Sequence, residues 1–210
     1  NLYTNNICVM KNIILLKKII QKIKKKYSLG SWIQIPNTSI AEIFGSSGYD
    51  WIALDLEHGA ISIDQIPDLA RAIELGNSLA FARVSNLQLE EVNRILDTGI
   101  SGLIFPKIES ATVLKNLIYT CTLPPHGCRG VGYSRANMFG RNFSVFSKGL
   151  FKPFIIAQIE SIKGVDNLDS ILKVKGLDAI FIGPYDLSAS LKVMGNFNSK
   201  KFKEIITKII

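Results

Sequence analysis

Six short apolar runs, alternating with helix-like segments, constrain this chain more than any other feature. The runs are SWIQIP (31–36), DWIALD (50–55), LAFARV (79–84), GLIFPK (102–107), PFIIAQIE (153–160) and DAIFIG (178–183). Residues 39–46, 63–74, 89–97, 110–120, 165–173 and 200–210 carry the helical 3–4 spacing of apolar positions. Such alternation predicts parallel strands joined by helical crossovers. Polar residues collect where the runs end, at 55–58, Arg83, 107–109, 158–160 and 184–186. In a (β/α)8 barrel the chemistry gathers at the C-terminal strand ends. A doubly wound open sheet would explain the alternation equally well, but it usually opens with a glycine-rich first turn. No GxGxxG or Walker-type motif occurs here. The barrel is therefore the expected fold, of α/β class, with six strands counted and two βα units short of closure.

Charge separates the chain into two parts. Residues 1–40 hold seven lysines and no acid, which accounts for nearly all of the net charge of +8. A near-neutral body with one basic segment is a poor nucleic-acid footprint, and no nucleic-acid partner is expected. The basic segment also carries Val9, Ile13, Leu16, Ile20, Ile23 and Tyr27 at helical spacing. This predicts a leader helix over residues 1–28 that packs its apolar stripe on the domain and leaves its lysines in water; a membrane-surface helix is the alternative. Met10 precedes the amphipathic stretch, so residues 1–9 are read as upstream of a natural start, and 29–210 as the barrel domain lacking its C-terminal units. No apolar run reaches the length of a membrane span. The three cysteines, Cys8, Cys121 and Cys128, lack CxxC spacing and suit a reducing cytoplasm.

Glu160 and Asp186 each follow an apolar run, so each carboxylate is expected at a strand mouth. Two carboxylates without a nearby Cys or His suit a hard divalent cation that keeps several waters. Capping of the following helices would suit them too. His58 stands beside Asp55 and Glu57, and a neighbouring carboxylate fixes a histidine tautomer and raises its basicity. Arg83 places a guanidinium where a barrel interior should be apolar, which is costly unless an anion meets it. Metal carboxylates, a histidine base and an isolated arginine together suggest enolate chemistry. The arginines of the segment 123–152, which opens PPHGCRGVGYSRAN, are expected to bind an anion or to pair with acids at a subunit contact.

The motifs GSWIQIPNTSIAEIFGSSGYDWIALDLEHG, LDTGISGLIFPKIES, PPHGCRGVGYSRAN, QIES and FIGPYDLSAS, in that order, resemble the HpcH/HpaI family of metal-dependent pyruvate aldolases. The likeness runs from about residue 15 to residue 198. It implies a TIM barrel of the phosphoenolpyruvate/pyruvate-binding type and a homo-oligomer, a hexamer built from dimers. It implies that Glu160 and Asp186 hold Mg²⁺, Mn²⁺ or Co²⁺, that His58 transfers a proton, and that Asp97 raises the basicity of His58. Asp55 would hold the base and a water in place, and Arg83 would stabilise the enolate. Gln158 would contact the 2-oxo acid, and the backbone at Tyr185 and Asp186 would receive its carboxylate. Tyr185 stands where many members carry a small residue, so the pocket shape is expected to differ.

The implied reaction is retro-aldol cleavage of a 4-hydroxy-2-oxo acid to pyruvate and an aldehyde, in the cytoplasm. Candidate substrates are 2,4-dihydroxyhept-2-ene-1,7-dioate and 2-keto-3-deoxy sugar acids. Two rival readings stand beside it. One is a citrate-lyase-type acyl-CoA lyase on the same barrel. The other is an inactive barrel fragment whose basic helix binds a partner, and a chain complete at Ile210 is expected to be inactive or unstable because of its raw sheet edges.

Overall fold

The computed structural model describes residues 14–22, 27–149 and 152–210. All six runs are strands: β1 (Gly30–Ile33), β2 (Trp51–Asp55), β3 (Leu79–Arg83), β4 (Gly102–Phe105), β5 (Phe154–Ile159) and β6 (Ala179–Ile182). They form one sheet in chain order, with every neighbouring pair parallel. The helices are α1 (residues 14–22), α2 (Thr38–Ser46), α3 (Ile66–Leu75), α4 (Leu89–Asp97), α5 (Ala111–Cys121), α6 (Phe143–Phe146), α7 (Ile162–Asp166), α8 (Leu168–Leu172), α9 (Pro184–Ser190) and α10 (Lys200–Ile209). The result is a curled part-barrel of βα units. Among the described residues β1 and β6 are its two edges, yet the Trp32 and Phe181 rings meet across the interior with centroids 5.5 Å apart.

The period-2 pleat of each strand sorts its side chains into two layers. Ile52, Leu54, Ala80, Ala82, Leu103, Phe105, Ile155, Ala157 and Ile159 face outward and pack with the crossover helices. Ala53, Leu79, Phe81, Ile104, Phe154 and Ile156 face inward with Trp32, Trp51, Ala179 and Phe181. Trp51, Phe81 and Phe154 stack in series at centroid distances of 5.7 and 5.8 Å. Gly102 permits that stack, because a Cβ there would stand 2.7 Å from the Phe81 ring. Burial of a side chain such as Phe81 contributes about 2 kcal/mol.

Helix α1 lies against the end where the strands begin. Its Ile19 is buried in the inner layer with Leu79 and Phe154, and Leu15, Leu16 and Ile20 pack beside it. Lys22 reaches Asp50, just ahead of β2, at 2.8 Å. The remaining positions of the amphipathic reading, Val9, Ile13 and Ile23, and Met10 and Cys8 with them, lie outside the described residues. Among the described residues no helix is long and apolar enough to cross a membrane.

Three local expectations change. The helix expected at 165–173 is two, because the Asn167 side chain donates to the backbone oxygens of Glu109 (3.0 Å) and Lys163 (3.1 Å) and breaks the run. A further helix, α9, begins at Pro184, whose missing N–H is harmless in a first turn. Within 123–152, Arg129 and Arg135 meet acids of their own chain: Arg129 pairs with Asp97 at 3.2 Å, and Arg135 with Glu74 at 2.7 Å. These two pairs fasten the segment to the barrel.

Candidate active site

The same pleat that turns Trp51 and Ala53 inward turns Asp55 inward, and Leu79 and Phe81 are followed by Arg83 in the same way. Just past β1 the position after Trp32 on that face is Gln34; Phe154 and Ile156 of β5 are followed by Gln158 and, just past the strand, Glu160. The inner layer is thus apolar along most of its height and polar only at the C-terminal strand ends. There a cavity of about 310 Å³ opens among Trp32, Gln34, Asp55, His58, Arg83, Gln158, Phe181 and residues 183–186.

Asp55 is fully buried and accepts five donors. Its Oδ1 receives Arg83 Nε (2.9 Å) and the backbone N–H groups of Glu57 and His58 (3.1 Å each); its Oδ2 receives Arg83 Nη2 (2.6 Å) and Gln34 Nε2 (2.8 Å). Burial pushes the Asp55 carboxyl up, but the hydrogen bonds from Arg83, Gln34 and the His58 backbone outweigh it and hold the group below its ordinary value. The two N–H bonds also fix the turn that carries His58, whose imidazole lines the cavity.

Arg83 lies over the Trp32 ring, 4.9 Å from its centroid. Its Nε and Nη2 are committed to Asp55. Nη1 faces Glu57 Oε2 at 3.3 Å and Gln158 Oε1 at 3.5 Å, both long for a strong bond. It is the donor left for something in the cavity.

Glu160 is buried, accepting Lys107 N–H at 2.8 Å on Oε1 and Gln158 Nε2 on Oε2. Burial raises its carboxyl above the ordinary value, hydrogen bonds from Gln158 and Lys107 lower it in part, and the Asp186 and Glu57 charges add to the rise. Gly183 permits this closeness, because a Cβ there would stand 2.5 Å from Glu160 Oε2 and 3.0 Å from Gln158 Nε2. Asp186, in the first turn of α9, is exposed at the cavity rim.

Among the described residues no group of three or more His, Cys, Asp or Glu side chains is gathered as a metal cage. The donor set nonetheless fits a hydrated divalent cation, which needs only one or two carboxylates. Glu160 and Asp186 feel each other's charge. Glu57 Oε2 is a buried acceptor whose contact is the long 3.3 Å ion pair with Arg83 Nη1, so it can also accept from a water on such a cation.

Six of the expected residues, His58, Arg83, Asp55, Gln158, Tyr185 and Asp186, line one cavity, and Glu160 adjoins it through Gln158 and Gly183. Asp97 does not join them within one chain. As a crossover helix, α4 runs back from the mouth, so its last residue lies at the end where β4 begins. There Asp97 accepts Arg129 Nη2 at 3.2 Å and Ser134 Oγ at 3.3 Å. Sequence reasoning passed over Trp32, Gln34 and Lys107 as site residues. The alternation in SWIQIP carries the signal for the first two, and GLIFPK, read by the strand-end rule, carries it for the third. A larger cavity, about 550 Å³, lies near α1 with His126 on its wall and shares none of these residues.

Comparison with known proteins adds an independent line. A family model described as HpcH/HpaI aldolase/citrate lyase matches residues 28–210. The hydroxypyruvate/pyruvate aldolase of Roseobacter denitrificans is 35% identical over 183 residues, covering 86% of this chain and 72% of that protein. The 5-keto-4-deoxy-D-glucarate aldolase of Escherichia coli O139:H28 is 34% identical over 186 residues, covering 88% and 73%. The crystal structure of an HpcH/HpaI aldolase/citrate lyase family protein from Burkholderia cenocepacia J2315 superposes with a TM-score of 0.85. It shares 29% identity and covers 91% of this chain and 78% of that one.

Proposed function

The chain belongs to the HpcH/HpaI aldolase/citrate lyase family, and from that premise we propose that it is an aldehyde-lyase cleaving a 4-hydroxy-2-oxo acid to pyruvate and an aldehyde. The observation that carries this reading is the convergence of His58 with the Asp55–Arg83 pair and Gln158 on one cavity, beside the buried carboxylate of Glu160.

Glu160 and Asp186 would hold a divalent metal, Mg²⁺, Mn²⁺ or Co²⁺, which when bound supplies positive charge to the 2-oxo group and to the enolate oxygen that develops from it. Gln158 donates to the oxo acid, and the backbone N–H groups of Tyr185 and Asp186, in the first turn of α9, receive its carboxylate. His58 takes the proton of the 4-hydroxyl. The C3–C4 bond then breaks, its electron pair passes into the C2–C3 enolate, and C4 leaves as the aldehyde carbonyl. Arg83 Nη1 donates to the developing oxyanion, held in position by the two bonds from Nε and Nη2 to Asp55. The proton that His58 took from the hydroxyl is returned to C3 of the enolate, directly or through a water, which completes pyruvate and restores the base. Trp32 and Phe181 would give the enolate an apolar wall.

Asp97 keeps its expected action on His58 only if a second copy of the chain delivers it, which agrees with the homo-oligomer expected from the motifs. The test is pyruvate release from 4-hydroxy-2-oxo acids, coupled to NADH oxidation by lactate dehydrogenase, with Mg²⁺ or Mn²⁺ added and then removed by EDTA. His58→Ala and Arg83→Ala are the companion variants.

A further inference from the structure

Lys107 stands at the same mouth, two residues beyond β4, and none of the roles above uses its side chain. Its backbone is fixed: φ is +54°, a left-handed conformation that costs a lysine about 1 kcal/mol, and its N–H is held by Glu160 Oε1 at 2.8 Å. Non-glycine residues in that conformation cluster at functional sites, where surrounding bonds enforce them. The side chain is 68% exposed, with Nζ 3.1 Å from Glu57 Oε1. An ammonium has three donors, and among the described residues this one has a single ion-pair partner.

The two cations at this mouth therefore differ in kind. Arg83 is buried and bound by Asp55, with one nitrogen turned to the reacting end. Lys107 is exposed, next to the residue that precedes His58, and has donors to spare.

We propose that Lys107 is a specificity-determining residue whose ammonium receives an anionic group at the aldehyde end of the substrate, so that the preferred substrates are 2-oxo acids bearing a second carboxylate. This rests on the aldolase reading above. The base at His58 acts on the 4-hydroxyl, so the carbons beyond C4 extend past His58 and Glu57 toward the rim, where Lys107 is the cation paired with Glu57. Glu57 Oε2 in turn lies 3.3 Å from Arg83 Nη1, which ties the Lys107–Glu57 pair to the edge of the cavity that Arg83 lines.

The test is the aldol direction, with pyruvate and matched aldehydes of equal length: glyoxylate against glycolaldehyde, and succinic semialdehyde against butanal. Full-length protein and the Lys107→Met and Lys107→Arg variants are compared, with thermal unfolding recorded for each. Lys107→Met is expected to lower kcat/KM for at least one acidic aldehyde about tenfold or more, mainly through KM, and to change the neutral partner less than about threefold. Lys107→Arg is expected to restore most of the loss. Equal losses on acidic and neutral aldehydes, or no loss on either, would overturn the proposal and assign Lys107 to shielding the carboxylates. An unmodified protein inactive on all four aldehydes would instead remove the aldolase reading, and this inference with it.

Discussion

Asp55 and Arg83 are register partners on β2 and β3, and the arginine holds both oxygens of the carboxylate, through Nε at 2.9 Å and Nη2 at 2.6 Å. Parallel pairing sets the two backbones side by side and the pleat turns both side chains inward, so the ion pair follows directly from strand register. An ammonium cannot reproduce this two-pronged grip. Arg83→Lys is therefore expected to lower kcat/KM roughly 10²–10³-fold through lost oxyanion stabilisation. Arg83→Ala is expected to cost roughly 3–5 kcal/mol of stability in addition, because it strands a buried carboxylate. Steady-state kinetics and urea unfolding of the two variants check both figures.

The same pair predicts an acid response. Asp55 is held below the ordinary carboxylate range in the folded chain. A depressed carboxyl contributes stability that is present above its unfolded value and is lost as pH falls through the folded one. Stability measured by urea at pH 5 and pH 3 should fall more in the parent than in Asp55→Asn, which lacks this titration, although the variant starts lower. An equal or steeper fall in the variant would contradict the assignment.

Gly183 and Glu160 give a steric prediction. A methyl group at position 183 would stand 2.5 Å from Glu160 Oε2, so Gly183→Ala must displace that carboxylate or the end of β6. Displacement of a ligand's supporting geometry typically costs about 10–100-fold in metal affinity. Mn²⁺ titration followed by electron paramagnetic resonance is expected to show a loss of that order. Unchanged Mn²⁺ affinity would mean that Glu160 is not a ligand.

Asp97 and Arg129 yield a stability prediction separate from catalysis. Arg129 is buried, lies over the Phe146 ring with 5.0 Å to its centroid, and has Asp97 as its ion partner. Burial pulls the guanidinium value down while the Asp97 charge pulls it up. Because Asp97 is half-exposed, Asp97→Ala should cost roughly 1–3 kcal/mol, whereas Asp97→Asn, which keeps an acceptor oxygen, should cost clearly less. Thermal unfolding of the two variants distinguishes them.

Much of the fold was legible because one rule, apolar alternation closed by a polar residue, marks both a strand and its functional end. Trp51, Ala53 and Asp55 lie on one face by that rule, as do Leu79, Phe81 and Arg83, and it brings Asp55 and Arg83 to one mouth. Asp97 was not legible in the same way. Its place depends on the length and direction of α4, which carry it to the far end of the barrel, and a motif read along the sequence has no information on ends. The intrachain partners of Arg129 and Arg135 were hidden for a related reason: Asp97 and Glu74 are more than thirty residues away in sequence. The end of GLIFPK marks Lys107 as a strand-end residue, but nothing in that run announces its left-handed backbone or the N–H that anchors Glu160.

The central claim is a metal-dependent proton transfer at His58 that releases pyruvate. The most direct measurement is pyruvate release by full-length protein given a 4-hydroxy-2-oxo acid and Mg²⁺ or Mn²⁺. The account predicts turnover that EDTA abolishes, that added metal restores, and that His58→Ala lowers about 10²-fold or more with the fold intact. Pyruvate release that survives both chelation and His58→Ala would contradict it, as would an acyl-CoA cleaved while every 4-hydroxy-2-oxo acid is left untouched.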